Sequence, residues 1–450
     1  MQFTMADHYA KKLEQASQTS YTVRIPAARG SIVDRSGTAL VQDDTVYDLA
    51  LCVPAPPDTE MAQTLQTLKE LDLGGKDVET QLAAFCSAVS AGELPLAENL
   101  TQAQCQSLLA AGLPQSGAVR LTARGTRTAV DGTLAPQLLG GVGAMSAEQW
   151  AQKKAQGLAM DESIGQWGLE AAWEDALRGR AGSLKVTVDR SSGGRTETIQ
   201  STPQAGDTLH LYLDADLQRT LRSALQQQIE TLQATKPEGK GKEACAGAAV
   251  VVDVQTGGVL AAVSLPDYDL ASWRQNYAAL ATAQGAPLVN RVLNGQYAPG
   301  SAFKRAVAAS ALAAGMPETT GRLTWSTDEN YQAGLALMAA IGQGNTSVSP
   351  LQLAAYAGAL ARDGQRPALH FAQSTTDAAG NITWQAQPDV LAQAPGGAAV
   401  FAPIREGMAQ MAQTLRTLRE SPIPLACKTG SPQLAGTLPD GTHYTNSVLI

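Results

Sequence analysis

The sequence is poor in the features that mark several common protein classes. Charged residues make up 16% of the 450 residues, and the formal net charge of -8 leaves no concentrated excess of lysine and arginine. Because nucleic acid binding needs such an excess to neutralise phosphates, nucleic acid is excluded as the main ligand. The longest apolar stretches, such as Ala306 to Met316, fall short of the roughly 18 residues that cross a bilayer. We therefore predict no membrane-spanning segment within this sequence.

Cysteine and histidine are scarce as well. The five cysteines have no C-x-x-C spacing, so neither a zinc site nor a disulfide framework is predicted, and the odd number leaves at least one thiol free. We interpret the cysteines as small buried hydrophobic residues. None of the four histidines lies near a G-x-S-x-G turn, which argues against a Ser-His-Asp hydrolase. Nucleotide binding is unsupported, since neither a Walker loop nor a G-x-G-x-x-G segment is present.

What the sequence does contain is the composition of a folded protein with more than one domain. Hydrophobic residues, at 44%, supply the apolar area that offsets the entropy cost of folding. A chain of 450 residues exceeds the size that one core usually supports. The composition changes at Pro203 to Asp207, and we place a domain boundary near residue 205.

Hydrophobic periodicity predicts a mixture of short strands and helices before this boundary. Alternating apolar residues predict strands, and apolar residues at i, i+4 and i+7 predict helices. Ser146-x-x-Gln149 is a capping box that opens one of these helices. The predicted strands lie at 23–25, 32–33, 47–53, 184–188 and 196–199, and the predicted helices at 61–68, 78–85, 101–112, from 146 and at 168–178.

The pattern becomes more regular after residue 205. Two apolar segments around Thr256-Gly257-Gly258 predict a central hairpin that is buried on both faces. Alanine-rich and amphipathic segments predict helices further along. The predicted strands lie at 209–213, 246–254, 259–263, 424–428 and 446–450, and the predicted helices at 217–229, 303–314 and 350–361.

The first candidate for chemistry is the pair Ser301 and Lys304. Gly300 ends a loop, and Ser301 would open the helix predicted at 303–314, where free backbone N–H groups and the helix dipole favour an anion. Lys304 lies one turn further on the same face. A neutral lysine can take the serine proton if burial and a nearby cation lower its pKa from the usual value of about 10.4.

Lys428-Thr429-Gly430 is the second candidate. It follows an apolar segment, and its ammonium and hydroxyl groups are suited to bind a substrate carboxylate while Gly430 permits close approach of a ligand backbone. Lys428 is also our candidate for the cation beside Lys304. Each motif alone recurs by chance, so it is their order and their placement on a helix start and a strand end that favour a shared site.

Further motifs resemble the class B penicillin-binding proteins along almost the whole chain. Residues 29–37 resemble the R-G-x-I-x-D-R-x-G motif of the family, and residues 168–179 its G-L-E and L-R-G segment. Residues 290–304 are similar to N-R followed by Y-P-P-G-S-T-F-K. Residues 341–344 and 349–354 resemble I-G-Q-G and T-P-L-Q-L-A, and residues 428–430 the K-T-G strand.

The resemblance implies an α+β protein with two domains. Residues 1–20 would be a juxtamembrane segment, residues 21–205 a pedestal (dimerisation-type) domain, and residues 206–450 a transpeptidase domain with an antiparallel central sheet flanked by helices. Within the pedestal, we expect Arg29, Asp34 and Arg35 to form ion pairs. Residues 341–344 are expected to form a tight turn beside the site.

The activity implied by the resemblance is that of a serine D,D-transpeptidase that cross-links peptidoglycan stem peptides ending in D-Ala-D-Ala. Ser301 would be the nucleophile and Lys304 its base, while Lys428 and Thr429 would hold the carboxylate. The backbone N–H groups of Ser301 and Ser431 would form the oxyanion hole. No metal or organic cofactor is required, and β-lactam antibiotics would acylate the same serine.

The resemblance also implies a location and a partner. The catalytic domain would face the outside of the cell, held by a single membrane anchor preceding Met1. The partner would be a membrane glycan polymerase of the SEDS type. Tyr297-x-Pro-Gly and the I-G-Q-G segment are more similar to elongation-type than to division-type members.

Two departures from the family pattern keep other interpretations open. No asparagine in the chain has serine two residues before it, so the Ser-x-Asn motif of the family is missing, and Ser326-Thr327-Asp328 is interpreted as a solvated turn. Compared with the family, we also expect the transpeptidase domain of this sequence to lack an internal block after about residue 315 and its C-terminal end. A catalytically impaired scaffold or β-lactam sensor is therefore an alternative, and a β-lactamase or carboxypeptidase is a third.

Overall fold

The fold is described from a computed structural model. It covers residues 18–53, 58–71, 78–88, 92–111, 113, 119–160, 162–189, 195–303, 322, 338–339, 342–437, 441 and 443–450. Within these ranges, none of the helices has both the length and the apolar character needed to cross a bilayer.

Short strands and helices alternate before residue 205. The strands are β1 (Gln18–Ile25), β2 (Ile32–Val33), β3 (Ala39–Val53), β4 (Gly92–Leu100), β5 (Val119–Ala129), β6 (Gly141–Ala144), β7 (Ser163–Trp167), β8 (Gly182–Asp189) and β9 (Arg195–Ser201). The helices are α1 (Asp58–Glu70), α2 (Val78–Ala88), α3 (Gln102–Ala110), α4 (Pro136–Leu139), α5 (Ala147–Lys153), α6 (Gly168–Ala172) and α7 (Glu174–Leu177).

Longer helices and paired strands follow residue 205. The strands are β10 (Thr208–Leu211), β11 (Gly247–Val252), β12 (Val259–Leu265), β13 (Gln365–Pro367), β14 (Ala372–Thr376), β15 (Ile382–Gln385), β16 (Val390–Gln393), β17 (Thr429–Gly430), β18 (Gln433–Thr437), β19 (His443–Thr445) and β20 (Val448–Leu449). The helices are α8 (Ala215–Thr235), α9 (Trp273–Thr282), α10 (Arg291–Asn294), α11 (Pro350–Ala361), α12 (Gly397–Thr414) and α13 (Arg416–Arg419).

Several sequence predictions are confirmed by these elements. Helix α11 has the predicted bounds, and the predicted capping box opens α5: the Ser146 hydroxyl accepts from the Gln149 N–H at 3.2 Å, and the Gln149 side chain accepts from the Ser146 N–H at 2.9 Å. The predicted hairpins of β8 with β9 and of β11 with β12 are both present. Of the described cysteines, Cys52, Cys105 and Cys427 are buried as expected, whereas Cys245 is exposed.

Two predictions need correction. The helix predicted at 168–178 is two short helices, α6 and α7, which are separated at Trp173 (φ -111°). Leu169, Trp173 and Leu177 keep their spacing across this break, so the periodicity alone does not reveal it. In the central hairpin, β12 is almost fully buried but β11 stays partly exposed. Val259 and Ala262 of β12 belong to the largest core of the described residues, whereas Ala248, Val250 and Val252 of β11 pack against that core only in part.

One mixed sheet joins strands from both sides of residue 205. Its order is β15-β14-β10-β2-β3-β4, and β5 pairs in addition with β3. The pair of β2 and β10 is parallel, and the other pairs are antiparallel. Since helices pack beside largely antiparallel strands, the predicted α+β class is confirmed.

The largest hydrophobic core lies where the two halves of the chain meet. Its members include Ile32 of β2, Leu138 of α4, Leu169 of α6, Leu211 of β10, Val259 of β12, Leu351 of α11 and Phe371, which directly precedes β14. Gln218 of α8 is buried in this region, and its amide donates to the C=O groups of Leu134 and Ala262, both at 2.9 Å. Its side-chain oxygen accepts from the Ala262 N–H at 2.7 Å. The buried amide is thus satisfied, and it ties α8 to β12 and to the first half.

A network of buried charges holds the first half together. Glu170 has no exposed surface, and its two oxygens accept from Arg29 Nε and from Arg127 Nε, each at 2.6 Å. Arg29 also pairs with Glu174 at 2.7 Å, and Arg127 with Asp43 at 3.1 Å. Burial alone would lower the pKa of Arg29, but the carboxylates of Glu170 and Glu174 outweigh it and raise that pKa. The ion pairs expected for Arg29 are therefore present.

Asp34 has a different role from the one expected. Within the described residues Asp34 pairs with no arginine; it accepts hydrogen bonds from the N–H and hydroxyl of Ser36 at 2.9 and 2.6 Å and from the Thr38 N–H at 2.9 Å. Burial by itself would raise the pKa of Asp34, but these bonds and one from the Ala215 N–H lower it overall. Asp34 thus stabilises the turn between β2 and β3, while the Arg35 side chain is exposed.

Glu170→Gln should destabilise the protein strongly. The substitution keeps the shape of the side chain but leaves two buried arginines without their shared anion, which typically costs about 3–5 kcal/mol. We expect a clear fall in the urea unfolding midpoint, followed by circular dichroism. The control is Glu420→Gln, because Glu420 pairs with Arg416 on the surface, where an ion pair contributes at most about 1 kcal/mol. Equal midpoints for the two variants would contradict the prediction.

Asp34→Asn should reveal a pH-dependent contribution. Because the pKa of Asp34 is lowered on folding, its ionised form stabilises the protein above its unfolded pKa of about 3.9, and this gain is lost as the pH falls through the folded pKa. The variant should thus unfold at a lower temperature than the parent at pH 7, and the difference between the two unfolding temperatures should become smaller below about pH 4. Thermal unfolding across pH 3–7 measures this difference. The control is Asp44→Asn, because the Asp44 side chain is exposed. A gap that widens in acid would refute the assignment.

Candidate active site

Ser301 lies in a single 3-10 turn, Gly300–Phe303, which we call the Ser301 turn. Gly300 has a φ of +56°, a backbone conformation that glycine adopts without strain. Its N–H donates to the C=O of Gly342 at 2.8 Å. Ser301 is partly buried and Ala302 is 3% exposed. The turn is therefore held against its surroundings and leaves part of the Ser301 side chain accessible.

The loop 342–348 supports the Ser301 turn from one side. Tyr297 and Val348 exchange two backbone hydrogen bonds, at 3.0 and 2.9 Å, just before the turn begins. The loop leads into α11, whose N-cap residue Ser349 forms a capping box with Gln352 at 2.9 and 3.1 Å. The described residues 342–344 form the turn beside Ser301 that the sequence predicts. Ile341 lies outside the described residues.

Strand β17 supplies the second candidate motif. The N–H of Lys428 donates to the C=O of Ile450 at 2.8 Å, and the Ile450 N–H donates back at 3.1 Å. Thr429 and Gly430 continue this ladder against β20. The strand predicted at 424–428 therefore begins later than expected, because its partner β20 pairs with Thr429 and Gly430. The sequence pattern of apolar residues before Lys428 could not show where this partner lies.

The register fixes the directions of the groups in this strand. Side chains alternate between faces, so Lys428 and Gly430 share one face of the strand and Thr429 has the other. The backbone groups of Lys428 point to β20, and the C=O of Pro432 further along accepts from the Asn446 N–H at 3.1 Å. Since backbone groups alternate between the two edges, the N–H of Ser431 is expected to point to the edge away from β20.

The two candidate motifs meet through two glycines. A Cβ added to Gly430 would lie 2.4 Å from the Pro299 carbonyl oxygen and 3.1 Å from the Ala302 nitrogen. A Cβ added to Gly300 would lie 2.9 Å from Pro432 Cδ. The distances of 2.4 Å at Gly430 and 2.9 Å at Gly300 are shorter than real Cβ contacts, so this packing requires glycine at both positions. The Ser301 turn thus lies directly on the face of the strand that carries Lys428.

The other polar groups of the motif lie around this contact. The ammonium group of Lys428 donates to the Thr429 C=O at 2.7 Å and is partly buried, and Ser431 is exposed. Burial raises the pKa of the adjacent Cys427 thiol, although the charge of Lys428 opposes this effect. Cys427 therefore stays protonated at neutral pH and does not compete as a thiolate nucleophile.

Some predicted site residues lie outside the described part of the chain. Lys304 and the helix predicted at 303–314 after Phe303 belong to this group, as do Ser326 to Asp328. The structure adds one residue that the sequence reasoning did not single out, Pro432, which contacts Gly300. Its signal in the sequence is a proline two residues after Gly430, at a position where a strand ladder would otherwise continue.

Comparisons with known families and proteins agree with the motifs. The family model described as the penicillin-binding protein dimerisation domain matches residues 24–211. The model of the penicillin-binding protein transpeptidase domain matches in two segments, 247–333 and 318–450. The peptidoglycan D,D-transpeptidase MrdA of Escherichia coli K12 is 32% identical over 304 residues, which are 65% of this chain and 45% of that protein. The protein of the same name from Salmonella typhimurium LT2 is 30% identical over 325 residues, which are 68% of this chain and 49% of that protein.

Solved structures share the fold along nearly the whole chain. Penicillin-binding protein 2 of Helicobacter pylori, in a complex with MreC, superposes with a TM-score of 0.70 at 19% identity, covering 96% of this chain and 92% of that one. A chain from a peptidoglycan synthase complex gives a TM-score of 0.70 at 24% identity, and the match covers 96% of this chain and 86% of that one.

The chain belongs to the class B penicillin-binding proteins, of the elongation type, and combines a dimerisation domain with a transpeptidase domain. It spans less than half the length of the MrdA proteins that it matches.

Gly430→Ala should disturb the contact between β17 and the Ser301 turn. The added methyl group meets backbone atoms on the other side, so one of the two segments must move, and overpacking of this kind costs about 1–3 kcal/mol. We expect a lower thermal unfolding midpoint. The matched control is Gly407→Ala in α12, where an added Cβ meets no atom within 4 Å and alanine should stabilise the helix by up to about 1 kcal/mol. Equal behaviour of the two variants would refute the close contact.

Proposed function

We propose that the protein is a serine D,D-transpeptidase that cross-links peptidoglycan stem peptides through an acyl-enzyme on Ser301. The observation that carries this proposal is the backbone contact of Gly430 with Pro299 and Ala302, which brings the Lys428 face of the strand to the Ser301 turn. The transpeptidase domain match and the names of the MrdA relatives support the same reaction.

The first step of the proposed reaction is acylation. The Ser301 hydroxyl attacks the carbonyl between the last two D-Ala residues of the donor peptide, and its proton passes to Lys304. The tetrahedral intermediate collapses by breaking the C–N bond, and the terminal D-Ala leaves as an amine that takes a proton from Lys304. The positive charge of Lys428 would favour the neutral, basic form of a lysine beside it.

The second step transfers the acyl group. An amine of a neighbouring peptide strand attacks the ester carbonyl and loses a proton to Lys304. The C–O bond to Ser301 breaks as the new amide bond forms, and Lys304 returns the proton to the Ser301 oxygen. A β-lactam enters the same path, but its ring opens without loss of atoms, so the whole inhibitor stays on Ser301.

β17 and Ser431, which follows it, would bind the donor peptide and stabilise the negative charge of the tetrahedral intermediate. Lys428 would bind the terminal carboxylate as a cation from the face of the strand that meets the Ser301 turn. The Thr429 side chain lies on the other face, so its hydroxyl would have to reach the carboxylate around the edge of the strand. The backbone N–H groups of Ser301 and Ser431 would stabilise the oxyanion. The strand register, which directs the Ser431 N–H to the edge away from β20, supports this assignment. One such donor is typically worth about 3–4 kcal/mol in the transition state.

The setting of the reaction is part of the proposal. Residues 21–205 would form the pedestal and residues 206–450 the catalytic domain. The catalytic domain would lie outside the cell and be held at the membrane by a single N-terminal anchor. The partner would be a glycan polymerase of the SEDS type. The E. coli relative MrdA and the peptidoglycan synthase complex support this setting.

Ser301→Ala should abolish covalent labelling by benzylpenicillin. Intact-mass spectrometry of the parent should show an increase equal to one whole benzylpenicillin, and the variant should show none. Ser431→Ala is the matched control, because the proposed role of Ser431 depends on its backbone N–H, which alanine retains, so its adduct should persist. An adduct of normal yield on Ser301→Ala would show that the nucleophile is another residue.

Labelling alone does not separate an enzyme from a β-lactam sensor, so turnover needs its own measurement. A thioester or D-Ala-D-Ala donor with an added amine acceptor should give the amide product, detected by mass, in the parent and not in Ser301→Ala. Acylation without any product would favour the sensor, and release of the free acid alone would favour a carboxypeptidase.

A further inference from the structure

The segment that follows β17 contains a proline in direct contact with the Ser301 turn. Pro432 is buried, and its Cδ, nitrogen and Cβ lie 2.9, 3.0 and 3.3 Å from the position that a Cβ on Gly300 would take. Gly430, two residues earlier, makes the corresponding contact with Pro299 and Ala302. Ser301 therefore lies between two contacts that the same short segment makes with the residues on either side of it.

Pro432 also restricts the residue before it. The pyrrolidine ring fixes the φ of proline near -65° and disfavours the helical conformation for the preceding residue, so Ser431 is kept extended. Because proline has no N–H, the ladder at this point keeps the single bond from the Asn446 N–H to the Pro432 C=O. The ring packing on Gly300 thus replaces a hydrogen bond as the restraint on this part of the strand.

We propose that Pro432 is a positioning residue that sets the distance between the Ser301 hydroxyl and the Ser431 N–H, an inference that rests on the proposed acyl transfer. Its ring touches the residue before the nucleophile, and its backbone restricts the residue that presents the oxyanion donor. Both groups must meet one substrate carbonyl, and a displacement of about 1 Å in such a site can cost about 100-fold in rate.

Pro432→Ala tests this role through the kinetics of acylation by a fluorescent penicillin. We expect the limiting acylation rate constant to fall by about 10- to 100-fold, while the affinity for the penicillin before reaction changes little. The matched control is Pro367→Ala. Pro367 is a buried proline in the same half of the chain, and its Cγ lies 3.3 Å from the position that a Cβ on Gly358 would take, so this variant loses the same atoms from a similar contact. Its limiting rate should equal that of the parent.

Two further measurements make the test decisive. Pro432→Val keeps apolar bulk beside Gly300 and should recover part of the rate, and it serves as the folded variant if Pro432→Ala unfolds. Hydrogen exchange of residues 299–303 needs no activity: the Gly300 N–H should exchange faster in Pro432→Ala and not in Pro367→Ala.

The possible results separate this inference from the proposed function. A parent that forms no adduct refutes the proposed function, and the exchange of residues 299–303 then decides on the packing role. A parent that is acylated, with Pro432→Ala equal to it in rate, overturns the inference and leaves the proposed function intact. A rate loss that Pro367→Ala shares, or that valine does not reduce, also overturns it, since the effect would then be one of general stability.

Discussion

The buried carboxylate of Glu170 holds together three segments that lie far apart in the sequence. It accepts hydrogen bonds from Arg29 and Arg127 at 2.6 Å each and has no exposed surface, so water cannot replace either arginine. The same region fixes β2, because the Gly30 N–H donates to the Leu177 C=O at 2.8 Å. Since β2 pairs with β10, the position of the second half of the chain depends on this charge network.

The candidate site depends on a different constraint: the backbone of the Ser301 turn and the backbone of β17 lie so close together that no side chain fits between them. Gly300 and Gly430 permit the Ser301 turn to lie directly on the strand that carries Lys428. Hydrogen bonds from Tyr297 to Val348 and from Gly300 to Gly342 hold the turn from the other side. The site is thus built mainly from backbone contacts, which explains why its motifs consist of glycine, proline and small residues around a few functional side chains.

Much of this arrangement follows from local sequence. The bounds of the helix at 350–361 and the start of the helix at Ser146 are confirmed, because caps and periodic apolar residues act within one or two turns. The sequence does not predict the break at Trp173, because the apolar spacing continues across it. Nor does it predict that β17 begins only at Thr429, because this start depends on where β20 pairs. Asp34 was expected in an ion pair, but the neighbouring turn satisfies it.

The sequence by itself determined the family, the α+β class and the identity of the candidate residues, since these rest on residue types at short, fixed spacings. Only the tertiary structure decided that Gly430 lies against Pro299 and Ala302, that Pro432 touches Gly300, and that Glu170 joins Arg29 to Arg127. These contacts join residues that lie 43 or more positions apart in the sequence. No local pattern carries that information, because it arises when the chain packs.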